Sequence, residues 1–194
     1  MTTKENNQSQ VNARELALDI LYEILEKEGY SHLVLNQALS KYQYLGKQDR
    51  SLITRITEGT LEYLIQIDAV IDQFSKTKVR KMKPLIRTLL RMSVYQILYM
   101  DRIPDSAVCN EAVKLAVKRH FQGLKGFVNG VLRTISREKD HLEFADEAVR
   151  FSVPGWLLDL WKESYDEATR QKMFTYFLED HPLTVRCNTH LVDK

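Results

Sequence analysis

Apolar residues recur at intervals of three and four positions through most of the first 139 residues of this 194-residue chain. This spacing places them along one face of a helix, and no convincing strand pattern interrupts it. The first run consists of Leu16, Ile20, Leu21, Ile24 and Leu25. It lies between Asn12, a candidate N-cap, and the stop signal Gly29, whereas Pro84 and Pro104 precede later runs at positions that suit a first helical turn. We therefore predict an all-α fold with a bundle of about seven helices.

The pattern also divides the chain into segments. Residues 1–10 are polar and predict a disordered tip, and residues 11–139 form the predicted bundle. Residues 140–194 are rich in acids and predict a helical connector, with one helical face around Trp156 and Trp161 and a second helix over about 166–178. The last stretch, PLTVRCNTHLVDK, alternates enough to predict one terminal strand. Because a single strand lacks a partner, we expect it to begin a sheet-containing unit.

Charge is distributed unevenly along the chain. Residues 1–75 carry 7 basic against 11 acidic residues, residues 76–139 carry 15 against 4, and residues 140–194 carry 6 against 11. The formal net charge of +2 therefore hides a strongly basic middle third. Such asymmetry bears on association, and it makes a polyanion such as RNA the leading class of partner.

Two series of basic residues in this middle third fall at helical spacing. The first basic ridge consists of Lys125, Asn129, Arg133 and Arg137. The second basic ridge consists of Arg80, Lys83, Arg87 and Arg91. Lys118, Arg119 and, if the first helix packs alongside, Arg14 complete the predicted RNA-binding set. Each ridge could contact successive phosphates, and the alternative for each is a hydrated helix face that merely keeps the protein soluble.

Residue patterns of catalysis are missing. The seven glycines form neither a GxG turn nor a phosphate-binding loop, and the five histidines are scattered. Cys109, expected in a helix, and Cys187, expected in the terminal strand, lack metal-ligand spacing, so we predict reduced thiols. No stretch of about 18 apolar residues that could cross a membrane occurs. We predict a cytoplasmic binding protein with no catalytic residue, metal or cofactor of its own.

Gly130 interrupts a predicted helix, where glycine costs about 1 kcal/mol relative to alanine. The favoured explanation is that another helix approaches closely at this position, and the alternative is a backbone surface left open for a phosphate. The sequence from Gly123 to Gly126 also has the GxxG spacing of a KH clamp loop. Without the strands of that module, this spacing is a weak signal.

Three segments, DRSLITRITEGTLEYL, LLRMSVYQILYMDRIPDSAVCNEAVKLAVK and KGFVNGVLR, resemble the NusB-type RNA-binding domain of transcription antitermination factors. The continuation FSVPGWLLDLWKESYDEATRQKMFTYFLEDHPLTVRCNT is similar to the connector that follows this domain in bacterial 16S rRNA cytosine-C5 methyltransferases of the RsmB/Sun type. There it leads into an RRM-like subdomain and a catalytic domain that uses S-adenosylmethionine.

The resemblance implies that this chain is the N-terminal RNA-binding region of such an enzyme, with ribosomal RNA as its partner. It also implies that the catalytic cysteines lie in a domain absent from this chain. Arg14, Lys125, Asn129 and Arg133 match RNA-contacting positions of the family. Two alternatives remain open: a free-standing antitermination factor, and a module that binds a protein partner.

Overall fold

A computed structural model describes residues 11–144 and 146–179, together with Arg186 and Asn188. Its helices are α1 (Ala13–Glu26), α2 (Ser31–Lys41), α3 (Lys47–Glu62), α4 (Leu64–Phe74), α5 (Pro84–Tyr99), α6 (Asp105–Lys118), α7 (Lys125–Glu138), α8 (Glu147–Arg150), α9 (Gly155–Ser164) and α10 (Glu167–Leu178). Short 3-10 turns occupy Val79–Lys81, Gln122–Leu124 and Lys139–His141. The predicted all-α fold is confirmed for the described residues. These residues contain ten α-helices, rather than about seven, because α8 to α10 follow the seven helices that end at Glu138.

Local sequence signals explain several helix starts. The side chain of Asn12 accepts hydrogen bonds from the backbone N–H groups of Arg14 (2.9 Å) and Glu15 (3.2 Å), as an N-cap does. Pro84 occupies the first turn of α5, where its missing N–H costs nothing. Pro104 lies one residue earlier relative to its helix, as the N-cap of α6.

Replacing Asn12 with alanine should lower the free energy of unfolding by about 1 kcal/mol, because two N–H groups of α1 lose their acceptor. Urea denaturation followed by circular dichroism measures this change. Asn36, an exposed residue inside α2, provides the matched control. Asn36→Ala should not destabilise the protein, and an equal loss for both variants would contradict the role of Asn12 as a cap.

Helix α5 forms the centre of the bundle. It packs against α1, α3, α4, α6 and α7, and most of its side chains between Ile86 and Ile97 are buried. The long apolar run after Pro84 therefore reflects a helix that is surrounded by others rather than one with a single buried face.

Three tyrosines fill the space between α5 and the junction of α3 and α4. The ring of Tyr63 stacks on that of Tyr99 with 4.1 Å between centroids, and Tyr95 lies 5.6 Å from Tyr99. The hydroxyl of Tyr99 donates to Oε1 of Gln66, and burial raises the pKa of this hydroxyl. Gly59 of α3 faces the same cluster, and a Cβ atom there would lie 2.0 Å from Cζ of Tyr95. This glycine is required by the close approach of the two helices.

The first compact unit extends beyond the predicted boundary at residue 139 and ends at Ser152. Helix α8 packs on α4, and Nε2 of Gln66 donates to the carbonyl of Arg150 (3.0 Å). The hydroxyl of Ser152 accepts a hydrogen bond from the N–H of Ile65 (3.3 Å). Residues 147–152 thus pack against α4 of the bundle.

The second compact unit begins at Val153 and contains α9 and α10. Trp161 of α9 stacks on Phe174 of α10 with 5.3 Å between ring centroids, and Trp156 is 69% exposed. The predicted disordered tip and Cys187 lie outside the described residues. The predicted terminal strand falls in a stretch of which only Arg186 and Asn188 are described, so it stays a prediction.

Candidate nucleic-acid interface

Helices α6 and α7 pack side by side in opposite directions. A tight turn joins them, in which His120 adopts a left-handed backbone conformation (φ 65°) and the N–H of Phe121 bonds to the carbonyl of Ala116 (2.8 Å). At the far end, Asp105 in the first turn of α6 accepts a hydrogen bond from Ser136 (2.7 Å) and pairs with Lys139 (3.0 Å). The two ends fix the register between the helices, and a groove runs along the outer surface between them.

This α6–α7 groove consists of two adjoining depressions of about 540 and 530 Å³ that share Arg133. The first is lined by Ser106, Cys109, Gly130, Arg133, Thr134, Ser136 and Arg137. The second is lined by Asn110, Val113, Lys114, Lys125, Gly126, Asn129 and Arg133. All four members of the first basic ridge therefore line one groove.

The three cations of this ridge have no carboxylate partner among the described residues. Nε of Arg133 donates to Oδ1 of Asn129 (3.1 Å), and a long contact of 3.5 Å joins Arg137 to the hydroxyl of Thr134. Lys125 is exposed. Neutral side chains thus orient the guanidinium of Arg133 without cancelling its charge. The arrangement can attract and bind an anion in the groove.

The second basic ridge does not present four free cations, which corrects the expectation from the sequence. Arg87 donates to Glu26 of α1 through Nε (2.7 Å) and Nη2, and this hydrogen bonding raises the pKa of the guanidinium. Arg91 donates to both carboxylate oxygens of Asp68 at 2.7 and 2.6 Å and lies 3.7 Å from Glu26. Only Arg80 and Lys83 of this ridge are exposed.

Two more predicted RNA-binding residues are paired with acids of α1. Lys118 lies 2.6 Å from Glu15, and Arg119 lies 2.6 Å from Asp19 and 3.3 Å from Glu15. These pairs connect the end of α6 to α1. Lys118 and Arg119 therefore face carboxylates of α1, although the side chain of Lys118 is still 64% exposed.

Arg14 lies where α1 meets α5 and α6. It is half-buried, and its Nε donates to Oε1 of Gln96 at 2.8 Å. Glu111 of α6 is close by, and its pKa is lowered chiefly by a hydrogen bond from Lys114, with smaller contributions from Asn12 and Arg14. The structure thus places Arg14 beside α6 but not in the lining of the α6–α7 groove.

Sequence reasoning missed the wall of the groove that α6 supplies. Ser106, Asn110 and Lys114 contribute this wall, and they follow one another at intervals of four residues. That spacing predicts a polar helix face, but only one of these three residues is charged. Lys114 is itself paired with Glu111 at 2.7 Å. Only the packing of α6 against α7 shows that this face meets the first basic ridge.

The favoured explanation for Gly130 is wrong. Among the described residues, no atom beyond the adjoining part of α7 lies within 4 Å of the position that a Cβ would take at Gly130, so none of the described helices approaches there. The same is true of Gly126. Both glycines instead line the α6–α7 groove. The unfavourable helix propensity of Gly130, about 1 kcal/mol, is not offset by closer packing.

Other candidate chemistry is weak in the described part of the chain. Cys109 is buried, and desolvation raises the pKa of its thiol, which disfavours the reactive thiolate. No group of three or more His, Cys, Asp or Glu side chains among the described residues could hold a metal ion. Within the same residues, no helix has the length and apolar character needed to cross a bilayer.

The bundle matches a known protein family. The model of the NusB family matches residues 11–137, which is more than half of the chain. The chain therefore belongs to the NusB family, as the resemblance of its motifs predicted.

The curated relatives are longer proteins. The probable ribosomal RNA small subunit methyltransferase B of Bacillus subtilis (strain 168) is 34% identical over 189 residues, a match that covers 94% of this chain and 42% of the relative. The chain thus spans about two fifths of the length of this relative.

Solved structures support the fold. T. maritima NusB has 25% sequence identity and a TM-score of 0.58, and the match covers 67% of this chain and 95% of that protein. A chain in the crystal structure of antitermination factors NusB and NusE in complex with dsRNA has 19% identity and a TM-score of 0.60. At this low identity, the second likeness shows the fold alone.

Proposed function

We propose that this chain is the RNA-binding N-terminal region of a 16S rRNA (cytosine-C5) methyltransferase and that it positions ribosomal RNA for a separate catalytic domain. The observation that carries the proposal is the α6–α7 groove, in which Lys125, Arg133 and Arg137 have no carboxylate partner within the part of the chain that the structure describes. Lysines and arginines at such a site bind phosphates and displace the counterions that are condensed on the RNA. The affinity for RNA therefore depends on the salt concentration rather than on base identity.

The extent of the similarity favours this proposal over a free-standing antitermination factor. T. maritima NusB is matched over 95% of its own length yet leaves about a third of this chain unmatched. The B. subtilis methyltransferase relative is similar over 94% of the chain, a span that must include most of the second compact unit. Residues beyond the bundle therefore fit the methyltransferase relatives better.

The reaction itself is assigned to the rest of such an enzyme. The described residues are helical and contain no strand followed by a glycine-rich loop, so they do not fit S-adenosylmethionine. Action on ribosomal RNA would place the protein in the bacterial cytoplasm.

Salt dependence of RNA binding tests the proposal. A fragment of 16S rRNA should bind with an affinity that falls steeply with salt, measured by filter binding at several salt concentrations. Replacing Arg133 with alanine should weaken RNA binding. It should also reduce the magnitude of the negative slope of log K against log salt by about one unit, because one phosphate contact is lost. Arg133→Lys keeps the charge and should retain most of the slope. An unchanged slope for Arg133→Ala would contradict the proposal.

A protein-interaction module is the second candidate. The observation that favours it is the exposed aromatic surface of α9 and α10, which includes Trp156, Tyr176 and Phe177. The NusB protein that shares the fold was solved together with NusE. Binding to a folded protein that persists at high salt, with no binding to RNA, would favour this candidate.

A further inference from the structure

Gly130 lies inside α7, is exposed, and faces the first depression of the α6–α7 groove together with Arg133 and Arg137. It precedes these arginines by three and seven residues, so all three share one face of the helix. A side chain at position 130 would project into the depression that Arg133 and Arg137 also line. The bare backbone at this position therefore gives the groove part of its depth.

The fold does not require a glycine at this position. Gly59 is needed because the ring of Tyr95 occupies the place of its Cβ, whereas the space beside Gly130 is open. Alanine would be the better helix former at an open interior position. The glycine must then serve something other than packing or helix formation, and the surroundings of Gly130 indicate what that is.

The surface at Gly130 suits a negatively charged group. The hydroxyl of Thr134 donates to the carbonyl of Gly130 at 2.9 Å, in addition to the helical N–H bond that this carbonyl accepts within α7, so the carbonyl is fully satisfied. Arg133 and Arg137 lie on the same side without a carboxylate partner among the described residues, and Ser106 provides a hydroxyl on the opposite wall. These two arginines are separated by about 6 Å along the helix axis, which suits two neighbouring phosphates of one strand.

We propose that Gly130 is an RNA-binding residue: its missing side chain lets the sugar–phosphate backbone lie against α7, within reach of both arginines. This inference rests on the proposed function of the groove and adds to it a steric requirement. Loss of a steric fit and loss of a charge contact have different effects on the salt dependence of binding. Filling the groove should weaken binding without changing the number of counterions that are released.

The test compares Gly130→Ala and Gly130→Leu with the wild-type chain, using fluorescence anisotropy of a labelled 16S rRNA fragment at several salt concentrations. Gly130→Leu should bind at least about tenfold more weakly and Gly130→Ala a few-fold more weakly, both with an unchanged salt slope. The melting temperature of Gly130→Ala should rise by about 2 to 4 °C, which shows that the variant is folded.

Gly155→Leu is the matched control, because Gly155 is also an exposed helical glycine with no atom within 4 Å of its Cβ position. It is not among the residues that line the groove, and its variant should bind like the wild type. Wild-type affinity for Gly130→Leu would overturn the role of Gly130, even if Arg133→Ala still lowers the salt slope. Absence of salt-dependent binding by the wild-type chain would overturn this role and the proposed function together.

Discussion

Gly59→Ala is expected to destabilise the protein by about 3 kcal/mol, because an added methyl group overlaps a buried ring. The Cβ would lie 2.0 Å from Cζ and 2.1 Å from the hydroxyl oxygen of Tyr95. Tyr95 is 1% exposed and is held between α3 and α5 by the stacked rings of Tyr63 and Tyr99, so it cannot move aside. Thermal denaturation should show a melting temperature lower by about 6 to 12 °C.

Two further variants separate this overlap from the general effect of adding a methyl group. Gly130→Ala makes the same chemical change where the space is open and should not destabilise. Gly59→Ala combined with Tyr95→Leu should cost less than the sum of the single variants, because the smaller side chain relieves the overlap. Stability of Gly59→Ala equal to that of the wild type would contradict the packing of α3 on α5.

Glu26→Ala is expected to destabilise the protein by about 3 kcal/mol, since it removes one partner of a buried ion pair. The side chain of Glu26 is only 5% exposed and accepts hydrogen bonds from Arg87 and Thr88. Arg91 is 12% exposed and lies 3.7 Å from the same carboxylate. Removing Glu26 leaves Asp68 as the one carboxylate among the described residues that lies beside these two guanidinium groups. Urea denaturation measures the loss.

Glu23→Ala is the matched control for this variant. Glu23 lies one turn earlier on α1 and pairs with Lys27 at 2.8 Å, but both side chains are about half exposed. An exposed pair of this kind contributes only about 0.5 kcal/mol. Equal effects of Glu23→Ala and Glu26→Ala would contradict the view that Arg87 and Arg91 serve the fold.

The helices and one of the two ridges could be predicted from the sequence because both depend on local spacing. Asn12 caps α1 as predicted, and four residues at intervals of four necessarily share one side of α7. The depth of α5 in the bundle and the groove wall formed by α6 could not be predicted, because they depend on which helices pack together.

Which cations of the second basic ridge are paired with acids could not be predicted from the sequence either, because it too depends on which helices pack together. Two of its arginines, Arg87 and Arg91, and the basic residues at the end of α6 are paired with Glu15, Asp19, Glu26 and Asp68. All four acids come from the first 75 residues, where acids exceed bases by 11 to 7. Counting charge by segment separated these partners, and the fold brings them together. Within the described residues, the cations of α7 are the ones in the groove that keep no carboxylate partner.

If the proposed function is right, RNA binds in the α6–α7 groove rather than to positive charge in general. Two triple variants test it, each with three cations replaced by alanine. The groove variant removes Lys125, Arg133 and Arg137, and the control removes the exposed residues Lys47, Lys76 and Lys172, which lie outside the groove.

Both variants lose the same net charge. The slope of log K against log salt for a 16S rRNA fragment therefore shows whether the position of the removed cations matters or only their number. The groove variant should reduce the magnitude of this negative slope by about two to three units, and the control variant should reduce it by about half a unit or less. Equal slopes for the two variants would contradict the claim that the groove is the RNA-binding site.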